Sequence, residues 1–580
     1  MADTKQDVLD MLRELAELTL LEEQNPQSFR VRAYESAAQA IAAQATDLGK
    51  LTPKELQKIE GIGKSTAEKI RELLETGKVA RVEALRQKHP RAVLALLQIQ
   101  GLGPKAVTRL RSELGVESLD DLRRALERHA LRDLKGFGAK SEEKLRQAVQ
   151  RLDAQGALER TPISIALPHA ERIIRQLREV AGVEHVEYCG SLRRFSETIG
   201  DIDIVVVASA AEPVMEALTS MVLVERVLGR GDRKTSVVTR RGIQVDLRVV
   251  ERQQLGAALM YFTGSKGHNI KLRQRALARG MTLNEYGLTT LASEGTEGGK
   301  VVASETEEQI YAALGLPFIP PVLREDAGEI EAAEKGHLSA PIAPILGDFH
   351  VHTDVSGDGR SSIEEVLAAA RARGYRVLAI TEHAEGTLSG VGREPLLVQR
   401  ERFRALQAEL GGELSLLHGV ELNIGPEGEL DYDAEFRQGF DFCLASVHSH
   451  FELDRAAQTR RVIRAMQDPS VRMIGHLSAR MIGHRAGIDL DLDAVFEAAE
   501  HTNTALEING ALPRLDLSVD ALRRARARGV KLVLTSDAHH HAELARITFA
   551  ASNAQRAGIE PARVVNTWPA AELLSWARGQ

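Results

Sequence analysis

The sequence predicts a multidomain protein in which a helical N-terminal region, a central α+β domain and a C-terminal (β/α)7 barrel follow one another. Its 580 residues exceed what one hydrophobic core usually supports. A Gly-x-Gly pattern recurs in the first part of the chain, strands and helices mix in the middle, and seven short apolar runs alternate with helical stretches in the last part. Three different patterns therefore predict three different architectures.

The composition excludes several functional classes. Hydrophobic residues make up 43% and charged residues 27% of the chain, and no apolar run is long enough to span a bilayer, so no membrane role is expected. The first ten residues do not resemble a secretory signal, and a cytoplasmic location is expected. Cys189 and Cys443 lie too far apart in sequence for a disulfide framework or a cysteine-rich zinc site. A net charge of −7 does not indicate nucleic-acid binding, so DNA contacts must be argued locally.

The N-terminal region is expected to contain three helix-hairpin-helix units. Apolar residues such as Val8, Leu12, Leu15 and Leu18 have helical spacing. A repeated pattern occupies residues 56–64, 96–104 and, more loosely, 131–139, and its glycine pairs are Gly61 with Gly63, Gly101 with Gly103 and Gly136 with Gly138.

A glycine pair that opens a helix lets the backbone approach a phosphate, because glycine has no side chain and the first N–H groups of the helix are free. Such a hairpin grips the DNA backbone without reading its sequence. Gly61, Gly63, Gly101 and Gly103 are therefore predicted DNA contacts. For a single copy, a tight turn between packed helices is an equal alternative, and the presence of three copies favours DNA.

Three aspartates in the central region predict a site for two metal ions. In a strand that begins at Asp201, the side chains of Asp201 and Asp203 project to one face, and Asp246 lies on the polar face of a second alternating strand. Three carboxylates on one face can hold two Mg²⁺ or Mn²⁺ ions. Such ions activate an attacking hydroxyl and stabilise a leaving pyrophosphate.

A nucleoside triphosphate is the expected substrate of this site. The turn at Gly190 and Ser191 offers N–H and hydroxyl donors to phosphates, and Arg194 adds a charge-assisted contact. With Gly190-Ser191 placed just before the Asp-x-Asp pair, the arrangement resembles the nucleotidyltransferase superfamily. A second block, residues 261–286, is similar to that of family X DNA polymerases.

The family X resemblance covers roughly residues 1–318 and implies a role for each residue of the second block. It places Tyr261 and Phe262 against the incoming sugar and Gly264 in the nucleotide site. It also places Asn269 at the base edge and Arg273 against the nascent base pair.

The first 90 residues resemble the lyase domain of DNA polymerase beta. The match over residues 61–70 implies that Lys69 forms a Schiff base with a 5′-deoxyribose phosphate, and that Arg30 and Tyr34 line the site. The alternative, in which Lys69 is an ordinary solvated helix lysine, has about equal weight because the sequence does not guarantee a lowered amine pKa.

The seven apolar runs of the last region predict a distorted TIM-like barrel whose strand ends carry polar residues. Active sites of such barrels lie at the carboxyl ends of the strands. From Asp348 onward the residues resemble the polymerase and histidinol phosphatase (PHP) family. The resemblance implies nine nitrogen and oxygen ligands: His350, His352, Asp358, His383, Glu421, His448, His476, Asp537 and His539.

Nine such ligands without sulfur suit up to three Mn²⁺, Zn²⁺ or Fe²⁺ ions. Bridged ions of this kind hydrolyse a phosphodiester. Five other histidines are expected to be structural or surface residues, namely His169, His185, His501, His540 and His541. In this family His476 is usually followed by Pro-Thr-Gly-Arg. Here Leu477-Ser478-Ala479-Arg480 follows, which keeps the arginine and leaves the loop shape in question.

Together the two resemblances predict six segments. Residues 1–90 form a small lyase-like domain, 91–160 a helix-hairpin-helix subdomain, 161–255 the nucleotidyltransferase palm, 256–318 a nascent-base-pair-binding subdomain, 319–346 a linker, and 347–580 the phosphoesterase barrel.

The expected function is gap filling in DNA repair combined with 3′-to-5′ exonuclease or phosphoesterase activity. The expected partners are gapped or nicked DNA and deoxynucleoside triphosphates, and a monomer is expected. Two alternatives stay open: a barrel that acts as a small-molecule phosphatase, and a catalytically silent scaffold for DNA ends. Intact carboxylates in the palm and intact barrel ligands argue against the scaffold.

Overall fold

The computed structural model of the protein describes most of the chain. The described residues are 4–25, 28–43, 48, 51–59, 61–97, 99, 102–132, 134, 137–138, 141–142, 145–146, 149, 160–291, 299–387 and 389–580. They form two compact units, of which the first comprises residues 1–161, 175–181 and 210–245 and the second the remainder. The segment predicted as the palm is thus divided between the two units, and the predicted domain boundaries stay predictions.

The first unit is mainly helical, as its apolar periodicity predicts. Val8, Leu12, Leu15 and Leu18 are fully buried, because they form one face of the first helix. The strands Val224–Arg230 (β5) and Lys234–Thr239 (β6) pair antiparallel. Its helices are Thr4–Glu23, Phe29–Ala43, Pro53–Leu56, Lys64–Thr76, Ala80–Lys88, Arg91–Leu97, Pro104–Leu114, Leu119–Glu127 and Ala211–Thr219.

The second unit begins with a sheet that carries the three aspartates. Its strands Val183–Tyr188 (β2), Asp201–Ala208 (β4) and Gln244–Val250 (β7) are hydrogen-bonded in that order, and the two-residue strands Thr161–Pro162 (β1) and Thr198–Ile199 (β3) form a separate sheet. Alternate residues are buried along β7 and at the start of β4, including Val245, Ile202 and Ile204, and the rest of β4 from Ile204 to Val207 is buried throughout. The polar residues between them face the other way, which is the predicted alternation.

A smaller subdomain follows this sheet. Its strands Met281–Asn284 (β8), Gly287–Thr290 (β9) and Val301–Ala303 (β10) form an antiparallel sheet in chain order. The helices of this part of the chain are Ile163–Arg178, which belongs to both units, and Gly190–Arg193, Leu255–Thr263, Lys266–Leu277, Glu307–Ala313 and Glu329–Glu334.

Residues 319–346, which the composition predicts as a linker, contain buried side chains. Val322, Leu323, Ile330 and Ala333 belong to the hydrophobic core of the smaller subdomain. Glu329 is buried as well and accepts a hydrogen bond from His268 Nδ1 at 2.6 Å. Part of this stretch therefore packs onto the preceding subdomain, because its apolar side chains join that core and the buried Glu329 carboxylate pairs with His268.

The C-terminal part is the predicted barrel of seven parallel strands, which hydrogen-bond in chain order. They are Gly347–Asp348 (β11), Val377–His383 (β12), Ser415–Asn423 (β13), Phe442–Ser446 (β14), Val471–Ile474 (β15), Ala505–Asn509 (β16) and Leu532–Thr535 (β17). The surrounding helices are Ile363–Ala372, Arg393–Glu409, Ala434–Arg437, Arg455–Met466, Leu492–Thr502, Val519–Arg526, Ile547–Arg556 and Ala570–Arg578.

The barrel nearly closes between its first and last strands. Val351 forms a parallel bridge with Ala538 just beyond the two strands. Asn566 connects the first and last strands, since its Nδ2 donates to Gly347 O at 2.8 Å and to Leu534 O at 2.9 Å. Because all strands are parallel, their carboxyl ends meet at one rim. The predicted fold class is confirmed.

Among the described residues, no helix is long and apolar enough to cross a membrane.

Candidate metal centres and nucleotide pocket

The three predicted carboxylates of the palm lie together. One ligand atom from each of Asp201, Asp203 and Asp246 falls within 4.8 Å of the other two. The side chain of Asp201 is exposed and the other two are half-buried. Three converging carboxylates at a surface can bind divalent cations while leaving room for a substrate.

The glycine of the predicted triphosphate turn lies directly beside this group. Gly190 has a φ of +62°, and a Cβ at this position would lie 2.5 Å from Asp203 Oδ2. Cys189 N donates to Asp203 O at 2.7 Å, which fixes the turn to β4. Only glycine fits both the left-handed backbone and the close approach. Ser191 follows on the short helix, half-buried.

Arg194, predicted to contact a triphosphate, is held by a carboxylate and a carbonyl. Its Nε donates to Glu325 Oε1 at 3.0 Å, and its Nη1 donates to Thr263 O. The preceding residue, Arg193, pairs with Glu187 at 2.7 Å and with the buried Glu307 at 2.9 Å. These partners anchor the turn on both sides, so Arg194 is oriented rather than free.

A pocket is lined by three of the residues that the family X resemblance assigns to the nucleotide, namely Tyr261, Asn269 and Arg273. Asn269 Nδ2 donates to Tyr261 O at 2.7 Å, which fixes the amide at the pocket wall. Phe262 packs edge-on against Tyr261, and Arg248 lies over its ring at 4.7 Å. The lining residues are Ala257, Met260, Tyr261, Asn269, Arg273, Leu283 and Asn284.

The sequence interpretation missed Arg248. It lies two residues after Asp246 and therefore on the same face of β7, a spacing that could have identified it. Gly264, another predicted nucleotide contact, has a φ of +68° and lies close to the guanidinium of Arg194.

The barrel rim brings the nine predicted ligands together. Four overlapping groups have ligand atoms within 4.8 Å of one another, and they contain all of these residues except Asp358. Asp358 Oδ2 lies 3.3 Å from His383 Nε2 and 3.5 Å from His539 Nε2, so it completes the set at the exposed side. Among the described residues, none of the five histidines expected to be structural joins these groups.

Glu421 occupies the middle of the group. Its carboxylate is fully buried and lies 2.8 Å from His383 Nδ1, 3.0 Å from His476 Nε2 and 3.3 Å from His448 Nε2. His350 and His352 follow at 3.4 and 3.7 Å. Asp537 approaches His350 and His352 from the other side, at 3.5 and 3.7 Å.

Two members of this group, Glu421 and His352, have pKa values shifted toward the forms that bind metal, whereas the carboxylates beside His350 and His383 outweigh burial and raise the pKa of both imidazoles. Burial by itself raises the pKa of Glu421, but the surrounding imidazoles outweigh it and hold the pKa well below its usual range. Burial lowers the pKa of His352, and the neighbouring His383 and His539 lower it further. An ionised carboxylate beside a neutral imidazole is the state in which both coordinate a cation.

Buried atoms of the group without hydrogen bonds show that divalent cations fit. Among the described residues, His350 Nε2, His352 Nε2, Glu421 Oε2 and His448 Nε2 are buried and have no hydrogen-bond partner. Buried polar atoms are nearly always satisfied, and lone pairs that converge without donors are what a bound cation requires.

Several residues around the ligands were not predicted. The fully buried Glu507 accepts a hydrogen bond from His350 Nδ1 at 2.6 Å, and Asn423 Oδ1 binds His448 Nδ1 at 2.6 Å. Each partner holds one ring nitrogen and so directs the other nitrogen at the ligand group. Arg514 lies 3.3 Å from Asp537 Oδ2. Asn423 is the last residue of β13, which was the available signal, whereas Glu507 lies in the middle of β16.

The predicted lyase residues lie together in the first unit. Lys69 Nζ donates to Ser65 Oγ at 2.7 Å and lies 6.0 Å from the ring of Tyr34. Burial lowers the pKa of Lys69. Arg30 is exposed and pairs with Glu23 at 2.9 Å.

The hairpin glycines Gly63 and Gly103 each precede a helix, and neither helix start has a side-chain cap. Gly61 has a φ of +88°. Gly101 lies outside the described residues.

Known families match most of this architecture. A helix-hairpin-helix domain matches residues 3–79, a tandem helix-hairpin-helix family residues 93–151, the DNA polymerase beta thumb residues 258–325, and the PHP domain residues 348–511. The chain is also 36% identical over 566 residues to the DNA polymerase/3′-5′ exonuclease PolX of Bacillus subtilis, and the match covers 97% of both chains. The chain belongs to the family X DNA polymerases with a PHP domain.

Two further relatives each match less than half of this family X chain. DNA polymerase lambda of Rattus norvegicus is 27% identical over 293 residues, which cover 46% of this chain and 48% of the relative. A probable phosphatase of Vibrio cholerae is 28% identical over 228 residues, which cover 38% of this chain and 88% of the relative.

The hydrogen bond between Glu507 and His350 leads to a prediction about metal affinity. Glu507→Gln keeps the shape but removes the charge that holds the His350 ring, so the barrel is expected to bind Mn²⁺ about 10- to 100-fold more weakly. Competition with a chelator, followed by metal analysis of the protein, measures this.

Glu382→Gln is the matched control. Glu382 is equally buried, but its partners Thr353, Ser356 and Gln399 are not in the ligand group. Wild-type affinity in Glu507→Gln would contradict the assigned role, as would an equal loss in the control.

Proposed function

We propose that this family X polymerase fills short gaps in DNA and removes nucleotides from 3′ ends with a second, separate site. The observation that carries the proposal is that two ligand sets converge without sharing a residue: three aspartates in the palm and nine residues at the barrel rim. Gapped or nicked DNA and deoxynucleoside triphosphates are the proposed substrates, and the chain is proposed to act as a monomer.

In the palm, Asp201, Asp203 and Asp246 would hold two Mg²⁺ or Mn²⁺ ions. When bound, such a pair activates the primer hydroxyl and stabilises the leaving pyrophosphate. Oxygen ligands at a partly exposed site suit Mg²⁺, which keeps several waters. The aspartates would also orient the primer end relative to the turn at Gly190.

The remaining palm residues would bind the nucleotide. Ser191 and Arg194 donate to the triphosphate, and Gly190 lets the chain approach it closely. Tyr261, Phe262 and Gly264 border the sugar, and Asn269 and Arg273 lie at the base edge. The pocket supports this arrangement, because Tyr261, Asn269 and Arg273 all line it.

At the barrel rim, the nine ligands would hold up to three Mn²⁺, Zn²⁺ or Fe²⁺ ions. Mixed imidazole and carboxylate ligands favour these ions over Mg²⁺. When bound, the ions supply a nucleophilic water and bind the phosphodiester. The protein residues fix the ligands, and Arg514 beside Asp537 adds positive charge near the phosphate.

A phosphatase of small phosphate esters is the second candidate for the barrel. The similarity to the probable phosphatase of Vibrio cholerae favours it, since 228 residues of this chain match 88% of that relative. A silent scaffold is not favoured, because buried ligand atoms without hydrogen bonds have no structural purpose.

The helical region would hold the DNA. The hairpins at Gly61 and Gly63 and at Gly101 and Gly103 would bind backbone phosphates. Arg30 and Tyr34 would line a site for a 5′-deoxyribose phosphate, with Lys69 as the amine nucleophile.

Separate ligand sets lead to a reciprocal prediction. Asp203→Ala is expected to reduce nucleotide addition roughly 10³-fold or more, because it removes a metal ligand, and to leave 3′-end hydrolysis intact. His352→Ala is expected to do the reverse. A labelled gapped duplex with Mg²⁺ or Mn²⁺, with and without nucleotides, reports both activities at once.

His501→Ala, on an exposed helix position of the barrel, is the control and is expected to retain both activities. If Asp203→Ala keeps more than a few per cent of the wild-type nucleotide addition, the assignment of the palm aspartates as the polymerase metal site is contradicted. If His352→Ala still trims 3′ ends but loses hydrolysis of a small phosphate ester, the barrel is a phosphatase instead.

Lys69 leads to a prediction about covalent trapping. A lowered pKa leaves more of the amine neutral at a given pH than in an ordinary lysine, so borohydride is expected to trap the chain on DNA that carries a 5′-deoxyribose phosphate. The covalent adduct is measured by gel electrophoresis, and Lys69→Ala is expected to lose it.

Lys64→Ala is the control, because Lys64 opens the same helix. It is expected to keep the adduct, at most with weaker DNA binding. If the wild-type chain forms no adduct, the N-terminal domain is only a 5′-phosphate anchor.

A further inference from the structure

A loop of the polymerase site is held by a side chain of the barrel. The loop, residues 194–200, connects the short helix that carries Ser191 to the strand that begins with Asp201. Arg480 donates to the two carboxylate oxygens of Glu197 in this loop, at 3.1 and 2.7 Å. Two parallel N–H···O bonds fix the orientation of a carboxylate as well as its distance.

Two residues of the barrel helix Ile547–Arg556 hold the same loop. Arg556 Nη1 donates to Phe195 O at 3.0 Å. The ring of Phe195 packs edge-on against Phe549, with centroids 5.0 Å apart. Phe195 has a φ of +53°, which a bulky residue adopts only where its surroundings stabilise it. The loop therefore has its unusual shape where the barrel contacts it.

The loop also carries Arg194, which is proposed to bind the triphosphate. Glu325 accepts hydrogen bonds from Arg194 Nε at 3.0 Å and from Arg556 Nη2 at 3.5 Å. One carboxylate is thus shared between an arginine of the nucleotide site and an arginine of the barrel. A shift of the barrel helix would change the position of both.

Arg480 is fixed on the barrel side before it reaches Glu197. Its Nε donates to Arg514 O at 2.8 Å, and its Nη2 also donates to Leu515 O. Its side chain is only 15% exposed, so water screens the pair with Glu197 weakly. Arg480 belongs to the loop that follows His476, the loop in which this sequence departs from the common PHP pattern.

We propose, on the basis of the nucleotide addition proposed above, that Arg480 is a positioning residue for the polymerase site although it belongs to the hydrolytic domain. By holding Glu197 it keeps the loop in the shape that places Ser191 and Arg194. Arg480 itself does not touch the nucleotide. Its loss therefore weakens nucleotide binding more than it slows turnover.

The experiment is single-nucleotide gap filling by the full-length chain at varied nucleotide concentration. Arg480→Gln and Glu197→Gln are each expected to raise the KM for the nucleotide about tenfold and to change kcat less than about threefold. Both variants break the same ion pair, so the double variant is expected to be no worse than either one. Arg480→Lys keeps the charge without the paired geometry and is expected to restore only part of the affinity.

Arg437→Gln is the matched control. Arg437 is a mostly buried barrel arginine whose carboxylate partner, Asp468, also lies in the barrel. This variant is expected to lower the melting temperature of the chain and leave the nucleotide KM unchanged. If Arg480→Gln does not fold, Glu197→Gln tests the same pair from the palm side.

An unchanged KM in Glu197→Gln and Arg480→Gln would overturn the positioning role. An equal rise in Arg437→Gln would overturn it too, since any weakening of the barrel would then have the same effect. A wild-type chain that adds no nucleotide would overturn the proposed function itself, and the wild-type arm of the experiment separates that outcome from the others.

Discussion

The arrangement of the barrel depends on the burial of one carboxylate, that of Glu421. Five imidazoles lie within 3.7 Å of its oxygens. A charge in such surroundings is costly unless partners compensate it. Because these imidazoles come from the ends of different strands, the parallel strands must end at one rim around this carboxylate. The fold and the metal centre therefore depend on each other. A barrel that opened at the rim would leave the Glu421 carboxylate without its imidazole partners.

The two metal centres differ in exposure, and the difference matches their proposed tasks. The barrel ligands are mostly buried and held by second partners such as Glu507 and Asn423, which suits ions that stay bound. The palm carboxylates lie at the surface, with Asp201 exposed. A site that must accept a triphosphate together with its metal has to be open. Contacts through Arg480 connect the buried centre to the open one.

Much of this arrangement could be predicted from the sequence, because regular strands convert spacing into position. The seven strands, the nine rim residues and the alternation of Asp201 and Asp203 follow from periodicities and from family resemblance. Long-range pairs could not be predicted. Glu507 lies between the apolar residues Leu506 and Ile508 of β16 and looks like part of a buried strand until its contact with His350 is known. Glu329, in a stretch whose composition indicates a linker, pairs with His268, which lies 61 residues earlier in the chain.

The residues around Glu421 are expected to form a resident metal centre distinct from the aspartates of the palm. Crystals of the full-length chain grown with Mn²⁺ and gapped DNA, with data recorded at the manganese absorption edge, distinguish the two centres. Anomalous peaks are expected at about 2.0 to 2.3 Å from ligand atoms of the rim, up to three in number, and separate peaks are expected beside Asp201, Asp203 and Asp246. A well-ordered barrel with no anomalous peak near Glu421, under conditions in which the palm binds Mn²⁺, would contradict it.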